Sequence, residues 1–476
     1  MKKFPKILSA ALAIAFSLNL AACGTPSNTS SSTSAGEQGH VHNYETTLSK
    51  NSLGHWYACT GCSEKKDYEK HKGGNATCGE KNKCEVCNKE YGNKISHKYG
   101  DITDTKNGKG YLCGTCGEEE LLSDLVDFVV EVETGREPVI LQLTDPQIMY
   151  SETVEETCYS YVRETIQATN PDLILVTGDL TYGRFDSPDG GIFTDYVNFM
   201  ETFEIPWAPV FGNHDNEILK GVDWQCQQLE SAEYCLFKQN DLTGNGNYSV
   251  GVLQGNKLLR TFYMLDSNGC GEPSEASKNG KNGIKTSAGF GADQISWYAT
   301  SMQTLKKRSP ETKFSMAYHI QTSDFALAYE QYEEFDSTMA EDGKSYKNPL
   351  FFDEMESAKE GDIGFYGRPP KSAWTLSQKH AMLKSLGVDS IFVGHEHCNS
   401  ASVVYDGIRY QYGQKSSACD RYNALTPDGK IKGGYTSEHV AGSAPLIGGT
   451  AFALSQEKGE IVNPYIYYCG NPFVGR

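Results

Sequence analysis

The sequence has too few basic residues to balance its acidic ones, and this deficit limits the partners it can bind. There are 43 Lys and Arg residues against 61 Asp and Glu residues, which gives a formal net charge of −18. At long range such a surface repels nucleic acid and anionic lipid. Metal ions bound inside a pocket can reverse that sign locally. We therefore expect no binding to a nucleic-acid duplex.

Long hydrophobic runs are also absent, except at the N-terminus. Beyond residue 22 no stretch approaches the ~20 consecutive apolar residues of a membrane span. The N-terminus itself has a basic start, the apolar run ILSAALAIAFSLNL and then Leu20-Ala21-Ala22-Cys23. This order is typical of a secretory signal, and the last four residues resemble the bacterial lipobox. We expect a signal peptide at 1–22 and a lipidated Cys23; an uncleaved anchor or a different cleavage site are the alternatives.

The lipobox implies a protein anchored by lipid on the extracytoplasmic face of a bacterial membrane. Residues 23–39 are rich in Ser and Thr and poor in apolar residues. Such a composition predicts a flexible tether. The body of the chain is expected to be soluble and to be held at the membrane by this N-terminus alone.

Apolar residues are scarce from residue 40 to residue 120, where a cross-link or a metal must replace an ordinary core. This Cys/His-rich module contains three CxxC pairs, Cys59/Cys62, Cys84/Cys87 and Cys113/Cys116, together with Cys78 and histidines 40, 42, 55, 71 and 97. Two intervening residues let both thiolates reach one tetrahedral ion, as in zinc ribbons. Outside the cell disulfides compete with zinc. We predict structural zinc and a structural or adhesive role toward a surface partner, with disulfides as the alternative.

The same module contains a weak internal repeat. HNY near WYACTGC is echoed by HKY near YLCGTC later in the chain. The module loosely resembles Cys/His-rich modules on surface proteins of Gram-positive bacteria.

Residues 121–476 have the pattern of one α/β domain. A helical periodicity at VEETCYSYVRETIQATN ends at Asn170-Pro171, and DLILVTGD follows as a buried parallel strand. Helices are predicted around 195–203, from Gln294 and before Leu386. Further strands are predicted in PWAPVFGNHD, LLRTFYMLDS, TKFSMAYHI and DSIFVGHEH, and Asp406-Gly407 predicts a hairpin. The expected architecture is two sheets packed face to face with helices outside.

Polar residues follow four of these apolar strands, and Asp145 likewise ends the apolar strand LQLTD; ligand sites of α/β sheets lie at such strand ends. The residues expected to converge are Asp145, Asp179, Asn213, His319, His395 and His397. Carboxylate, amide and imidazole ligands together suit Fe, Mn or Zn better than Mg or Ca. The neighbouring Gly178, Gly212 and Gly394 allow the sharp turns that aim these side chains.

These five segments, LTDPQ, GD, GNHD, a lone His and GHEH, resemble the motifs of the calcineurin-like metallophosphoesterase superfamily, from about Pro138 to Gly413. The resemblance implies an α/β/β/α sandwich and a dinuclear metal centre. It implies that Asp179 bridges the ions, that Asp145 and His397 bind the first, and that Asn213, His319 and His395 bind the second. It also implies that His214 acts as general acid or transition-state stabiliser, oriented by Asp215, while a hydroxide held by both ions attacks phosphorus.

One position departs from the family pattern. Gln147 stands where the first motif usually has a histidine. Gln147 could contact the first metal directly or through water. Alternatively Tyr182 could replace it, because GDLTY matches the GDxxY of purple acid phosphatases, whose tyrosine binds Fe(III). Both alternatives stay open from the sequence.

The resemblance predicts a lipid-anchored phosphohydrolase that acts on small phosphomonoesters or phosphodiesters, nucleotide-like or derived from the envelope. Lys415 and Arg421 could contact the phosphate, although solvated surface is an equal expectation. An alternative is an adhesion or scaffold lipoprotein with an inert phosphoesterase fold, which the missing histidine would favour. A protease is disfavoured because HExxH and GxSxG are absent from the sequence.

Overall fold

The computed structural model describes residues 40–149, 152–268, 289–322, 324–329, 376–429, 431–435, 442–470 and 472. The predicted signal peptide, Cys23 and the tether lie outside the described residues. Among the described helices, none combines the length and apolar character needed to cross a membrane. The described residues up to Ala76, together with Glu80–Lys94, form one compact unit; Thr77–Gly79 and the described residues from Ile95 onward form the other.

The smaller unit contains five short strands. They are β1 (Tyr44–Lys50), β2 (Gly54–Cys59), β3 (Lys65–Lys70), β4 (Asn82–Lys83) and β5 (Glu90–Tyr91). β1, β2 and β3 form an antiparallel sheet, and β4 pairs with β5. Every residue of β3 is exposed, and none of the apolar core clusters formed by the described residues includes a residue of this unit.

The Cys/His-rich segment predicted as one module at 40–120 is divided between the two units. Cys78 and the residues from Ile95 belong to the larger unit. There, β6 (Tyr99–Thr105), β7 (Gly108–Cys113) and β8 (Glu119–Leu121) form a second three-stranded antiparallel sheet. Its buried Ile102 and Tyr111 share a core with Leu253 and Leu258, which is why this sheet packs as part of the larger unit.

The larger unit has a regular succession of strands and helices. Its further strands are β9 (Phe128–Val132), β10 (Val139–Leu143), β11 (Leu173–Thr177), β12 (Trp207–Val210), β13 (Tyr248–Gln254), β14 (Lys257–Met264), β15 (Lys313–Ala317), β16 (Ser390–Val393), β17 (Ser402–Tyr405), β18 (Ile408–Tyr412), β19 (Tyr422–Leu425), β20 (Ile431–Tyr435), β21 (Ala444–Leu446), β22 (Gly448–Leu454) and β23 (Ile461–Tyr468). Its helices are α1 (Glu152–Thr169), α2 (Gly191–Glu201), α3 (Val222–Ser231), α4 (Ala292–Arg308), α5 (Asp324–Tyr329) and α6 (Leu376–Ser385), with short 3₁₀ turns at Leu122–Asp124, Gly183–Phe185 and Asp215–Glu217.

Two large sheets dominate this unit. One has the order β12-β11-β10-β22-β23, and the other has the order β17-β18-β16-β15-β14-β13-β9. β10, β11 and β12 run parallel, as do β14, β15 and β16. Their carboxyl ends therefore open at one edge of each sheet.

The sheets face each other across an apolar core. In β14, Phe262 and Met264 point into the core between the sheets, while Tyr263 points into a second core that also contains Tyr298 of α4. This alternation is the two-residue period of a strand buried on both faces. Rings also stack between the sheets, with the centroids of Phe392 and Phe452 5.1 Å apart. The predicted two-sheet sandwich with outer helices is confirmed.

Candidate dinuclear metal centre

The five motif segments meet at the carboxyl ends of strands from both sheets. Asp145 follows β10, Asp179 follows β11 and Asn213 follows β12 in the first sheet, while His319 follows β15 and the pair His395 and His397 follows β16 in the second. The backbone N–H of His395 donates a 3.0 Å hydrogen bond to Asp145 Oδ2, which ties the two sheets together at this point. The predicted ligands therefore converge.

Asp145, Asp179 and His397 form the first group that can hold a cation. Asp145 is fully buried, and its Oδ1 accepts no hydrogen bond from the described residues. That oxygen lies 3.4 Å from His397 Nε2. Burial would raise the pKa of Asp145, but His397 and His319 hold it below its usual range. An ionised, buried carboxylate oxygen without a donor is a costly feature that a bound cation removes, so this group fits a metal.

The second group is built around the side-chain oxygen of Asn213. Its Oδ1 lies 3.0 Å from His319 Nε2 and 2.9 Å from His395 Nδ1. His319 Nδ1 lies 2.8 Å from the carbonyl oxygen of Thr177. Its other ring nitrogen, Nε2, lies 3.4 Å from Asp179 Oδ2. A hydrogen bond from Nδ1–H to that carbonyl leaves the Nε2 lone pair for a cation, as is usual for metal-binding histidines. Asp179 is thus shared by both groups.

The pKa values of these histidines depend on the same carboxylates. Burial and the neighbouring His319 lower the pKa of His395 to about 4, so its ring is neutral at pH 7. Burial opposes charge on His319 as well, but Asp179 outweighs it and raises the pKa to about 10. A histidine must be neutral to bind a metal, so metal binding at His319 is coupled to release of its proton.

The backbone at the motifs is held in an unusual conformation. Asp145, Gln147, Asp179 and His395 have φ values of 49°, 44°, 52° and 74°. Left-handed backbone is uncommon for residues other than glycine and costs of order 1–3 kcal/mol for each residue. Four such residues at one site indicate that the backbone just after these strands adopts a conformation that orients the side chains of the site, at a cost in stability.

Gly394 is required by close packing at this site. A Cβ at this position would lie 2.1 Å from Thr144 Oγ1 and 2.8 Å from Asp145 Oδ2. The absence of a side chain therefore lets the second sheet approach the carboxylate of the first.

His214 is held by Glu217, and the expectation that Asp215 orients it is wrong. His214 Nδ1 lies 3.0 Å from Glu217 Oε2, and Arg184 pairs with the other carboxylate oxygen at 2.5 Å. Asp215 instead accepts hydrogen bonds from the backbone N–H groups of Gly212 and Thr181, at 2.7 and 3.2 Å. The turn after β12 is a 3₁₀ helix from Asp215 to Glu217, which brings Glu217 and not its neighbour onto the side of His214. Burial would lower the pKa of His214, but Asp179 and Glu217 raise it.

Gln147 presents its amide nitrogen, not its oxygen, to the carboxylates. Its Nε2 donates to Asp179 Oδ2 at 3.1 Å, and its Oε1 accepts from Lys415 Nζ at 3.1 Å. Because an ammonium group only donates, Lys415 fixes which end of the amide is the oxygen. Lys415 is 1% exposed and also donates to the carbonyl oxygen of Asp145 at 2.6 Å. Lys415 therefore stabilises the first motif through Asp145 and Gln147 and is not part of the solvated surface.

Tyr182 lies on the wall of the cleft above the metal groups. Its ring centroid is 4.1 Å from that of His214, and both line a cleft of about 340 Å³ together with Asp179, Asn213, His395, Glu396, His397, Cys398, Asp420 and Arg421. Burial, and then the charge of Asp420, raise the pKa of Tyr182. Two larger clefts, of about 410 and 640 Å³, contain none of the predicted ligands.

Two supporting residues, Glu217 and Asp420, had no role in the sequence-based prediction, and a third, Lys415, was expected at the phosphate or on the solvated surface. Glu217 could have been found, since it stands three residues after His214 within the GNHDNE motif. Asp420, whose Oδ2 lies 3.2 Å from His397 Nδ1, and the buried position of Lys415 could not. Both come from the segment after β18, which reaches the site through a parallel bridge between Thr144 and Lys415.

Curated proteins with similar sequences include phosphatases. The chain is 26% identical over 279 residues to "Probable inactive purple acid phosphatase 29" of Arabidopsis thaliana. The aligned region covers 53% of this chain and 61% of that protein. The chain is 27% identical over 254 residues to "Phosphatase DCR2" of Saccharomyces cerevisiae. That aligned region covers 50% of this chain and 38% of the yeast protein. The chain thus spans about 61% and 38% of the length of these two relatives.

Solved structures resemble the fold in outline. A dimetal phosphatase from Danio rerio aligns with 65% of this chain and 98% of its own, at 13% identity and a TM-score of 0.35. GAP50 of Plasmodium, described as the anchor in the inner membrane complex, aligns with 70% of this chain and 89% of its own, at 11% identity and a TM-score of 0.37. Both scores indicate likeness in outline only.

The family match is more specific, because the model of the calcineurin-like phosphoesterases matches residues 138–399. That range is more than half of the chain and includes all five motif segments. The chain belongs to the calcineurin-like phosphoesterase family.

Proposed function

We propose that this protein is a metal-dependent phosphohydrolase that cleaves phosphomonoesters or phosphodiesters of small molecules. The observation that carries the proposal is the buried oxygen of Asp145, which accepts no hydrogen bond from the described residues, in a cluster that also contains Asp179 and His397. Asn213, His319 and His395 supply the second group beside it.

The chemistry follows from the residues that line the cleft. Asp145, Asp179 and His397 would hold one ion, and Asp179, Asn213, His319 and His395 would hold the other. Two ions here, chosen from Fe, Mn and Zn by the mixed oxygen and nitrogen ligands, would supply positive charge to the phosphate oxygens.

The side chains around the ions have separate tasks. His214, whose pKa Asp179 and Glu217 raise against the effect of burial, lines the cleft, where it would donate a proton to the leaving oxygen. Arg421 lines the cleft and is available to bind the phosphate anion. Asp420 holds the ring of His397 in the orientation that presents Nε2 to Asp145.

The test is to purify the full chain, measure its metal content and assay p-nitrophenyl phosphate against bis-p-nitrophenyl phosphate. We expect hydrolysis of at least one ester with about two catalytic metal ions bound. His214→Ala should lower kcat by about 10²–10⁴-fold, the usual contribution of a general acid. Full activity in this variant would overturn the role given to His214.

An inert scaffold is the second candidate. The Arabidopsis relatives named "probable inactive" purple acid phosphatases support it, as does Gln147 at a usual ligand position. A chain that holds no metal at the Asp145 group and hydrolyses neither ester would establish this reading. Its Cys/His-rich segment would then be the part that binds a surface partner.

We place the protein on the extracytoplasmic face of a bacterial membrane, anchored through lipid on Cys23. The support is the signal pattern of the first 23 residues. Cys23→Ser should release the protein from the membrane fraction. Continued membrane association with an unprocessed N-terminus would favour an uncleaved anchor instead.

A further inference from the structure

The two halves of the internal repeat in the Cys/His-rich region fold in the same way. β1 and β2 pair with Tyr44 opposite Cys59, and β6 and β7 pair with Tyr99 opposite Cys113. A third strand completes each sheet, in the orders β1-β2-β3 and β6-β7-β8. The weak sequence repeat is therefore a structural repeat with a common register.

Each copy brings one histidine to the second cysteine of its CxxC pair. His42 Nδ1 lies 3.3 Å from Cys62 Sγ, and His97 Nδ1 lies 3.3 Å from Cys116 Sγ. In both copies this histidine stands two residues before the tyrosine that begins the first strand. The shared register thus produces the same histidine-to-sulfur contact twice.

The copies differ in the residue that reaches the first cysteine. In the first copy His40 Nε2 lies 3.3 Å from Cys59 Sγ. In the second copy Cys78 Sγ lies 3.6 Å from Cys113 Sγ. The two resulting clusters are His40, His42, Cys59 and Cys62, and Cys78, His97, Cys113 and Cys116, in each of which all four ligand atoms lie within 4.8 Å of one another.

A third cluster lies between the copies in sequence. His55 Nδ1 is 3.7 Å from Cys84 Sγ, and His71 Nδ1 is 3.5 Å from Cys87 Sγ. His71 Nε2 lies 2.9 Å from the carbonyl oxygen of Asn51. Donation from Nε2–H to that carbonyl leaves the Nδ1 lone pair facing the sulfurs, which is how metal-binding histidines are usually oriented.

These separations fit a tetrahedral ion. Sulfur at about 2.3 Å and nitrogen at about 2.0–2.1 Å from such an ion lie about 3.4–3.8 Å from one another. The measured sulfur–nitrogen and sulfur–sulfur distances of 3.3–3.7 Å match these edges. A disulfide would use two sulfurs of a cluster and leave its histidines without a role, whereas one ion uses all four ligands.

We propose that the Cys/His-rich region holds three structural zinc ions, and that the ion of Cys78, His97, Cys113 and Cys116 is built into the phosphoesterase unit. Tetrahedral sites of thiolate and imidazole select Zn²⁺. These three sites are separate from the catalytic pair and do not depend on its activity.

The Cys78 site differs in consequence from the other two, because its sheet packs on the phosphoesterase core. Tyr111 of β7 is fully buried, and its hydroxyl lies 2.7 Å from Ser309 Oγ, just after α4. Glu120 of β8 pairs with Arg308 of α4 through both carboxylate oxygens. An ion bound by Cys78, His97, Cys113 and Cys116 would therefore hold in place the β6-β7-β8 sheet, which packs on the phosphoesterase core.

The experiment compares Cys62→Ser and Cys116→Ser, which remove the same exposed cysteine from the two copies. The full chain is purified anaerobically in zinc-containing buffer without added reductant, and bound metal is counted by native mass spectrometry. Each variant should lose about one zinc ion per chain. By hydrogen exchange, Cys116→Ser should also lose protection in residues 99–121 and 292–314, whereas Cys62→Ser should not.

A second measurement uses Co²⁺ in place of zinc. Thiolate sulfur bound to Co²⁺ gives a ligand-to-metal charge-transfer band that the oxygen and nitrogen ligands of the catalytic centre cannot give. Because the Cys62 cluster supplies two and the Cys116 cluster three of the seven cluster thiolates, this band should fall by roughly two sevenths in Cys62→Ser and roughly three sevenths in Cys116→Ser. Unchanged metal counts, no thiolate band, and cysteines that resist alkylation until reduced would show disulfides and overturn the proposal, with or without phosphatase activity.

Discussion

Asp179 and then Glu217 raise the pKa of the His214 imidazole against the effect of burial, and of these two carboxylates Glu217 is the one within hydrogen-bonding distance of its Nδ1. Glu217→Gln removes the charge and keeps the shape, so the pKa of His214 should fall. A rate that needs protonated His214 is then lost at a lower pH, and the basic limb of the pH–rate profile should move to lower pH. Glu204→Gln, at an exposed position, is the control, and an unmoved basic limb in Glu217→Gln would contradict this assignment.

Asp420 acts on the metal through His397, with its Oδ2 3.2 Å from Nδ1 of that ring. Loss of such a supporting carboxylate typically costs about 10–100-fold in metal affinity. We expect Asp420→Ala to lower the affinity of the first metal by that factor, measured by titration of the metal-free protein. An unchanged affinity would mean that the ring is held by its packing alone.

Tyr182 can be tested by colour. Gln147 directs its oxygen to Lys415, whereas Tyr182 lines the cleft together with Asp179 and His397, so we test Tyr182 as the predicted oxygen ligand of the first metal. If Tyr182 binds that metal, protein loaded with Fe(III) should be purple, and Tyr182→Phe should lose the visible band while it keeps its fold by circular dichroism. A colourless, iron-loaded and active natural protein would exclude Tyr182 as a ligand.

At the scale of the elements, the meeting of β10 with β16 depends on Gly394. In Gly394→Ala the new Cβ would lie 2.1 Å from Thr144 Oγ1 and 2.8 Å from Asp145 Oδ2. Such overpacking costs about 1–3 kcal/mol and displaces a metal ligand, so both thermal stability and metal content should fall. Gly100→Ala is the matched control, since its nearest non-neighbouring atom would be 4.0 Å away. Normal metal content in Gly394→Ala would show that the backbone segments after β10 and β16 can move apart without loss of metal binding.

For the whole molecule, stability should depend on the metals. Asp145 and Asp179 are 0% and 1% exposed and share one site, so removal of the cations leaves two buried like charges together. Ligand at 100–1,000 times its Kd stabilises a folded protein by about 2.7–4.1 kcal/mol, and chelation should lower the melting temperature accordingly. Activity should vanish with the metal and return when it is added back. A melting temperature that chelation leaves unchanged would contradict metal binding at this site.

Much of the fold was predictable because buried strands have an unmistakable composition. DLILVTGD, TKFSMAYHI and DSIFVGHEH each contain a strand that ends just before the polar motif, at Thr177, Ala317 and Val393. The division of the Cys/His-rich segment was not predictable, because the core that Tyr111 shares with Leu253 brings together residues far apart in sequence. Sequence patterns report local periodicity and do not report such contacts.

The ligand residues that meet at the site can be predicted from the amino-acid pattern, because each one follows a strand and parallel strands bring their carboxyl ends to a common edge. The side chains that hydrogen-bond to those residues and hold them in position follow only from the tertiary packing. It assigned Glu217 to His214, Asp420 to His397 and Lys415 to Gln147. The reason is physical: a strand end is fixed by local patterning, whereas a side chain's partner depends on which distant segment packs beside it.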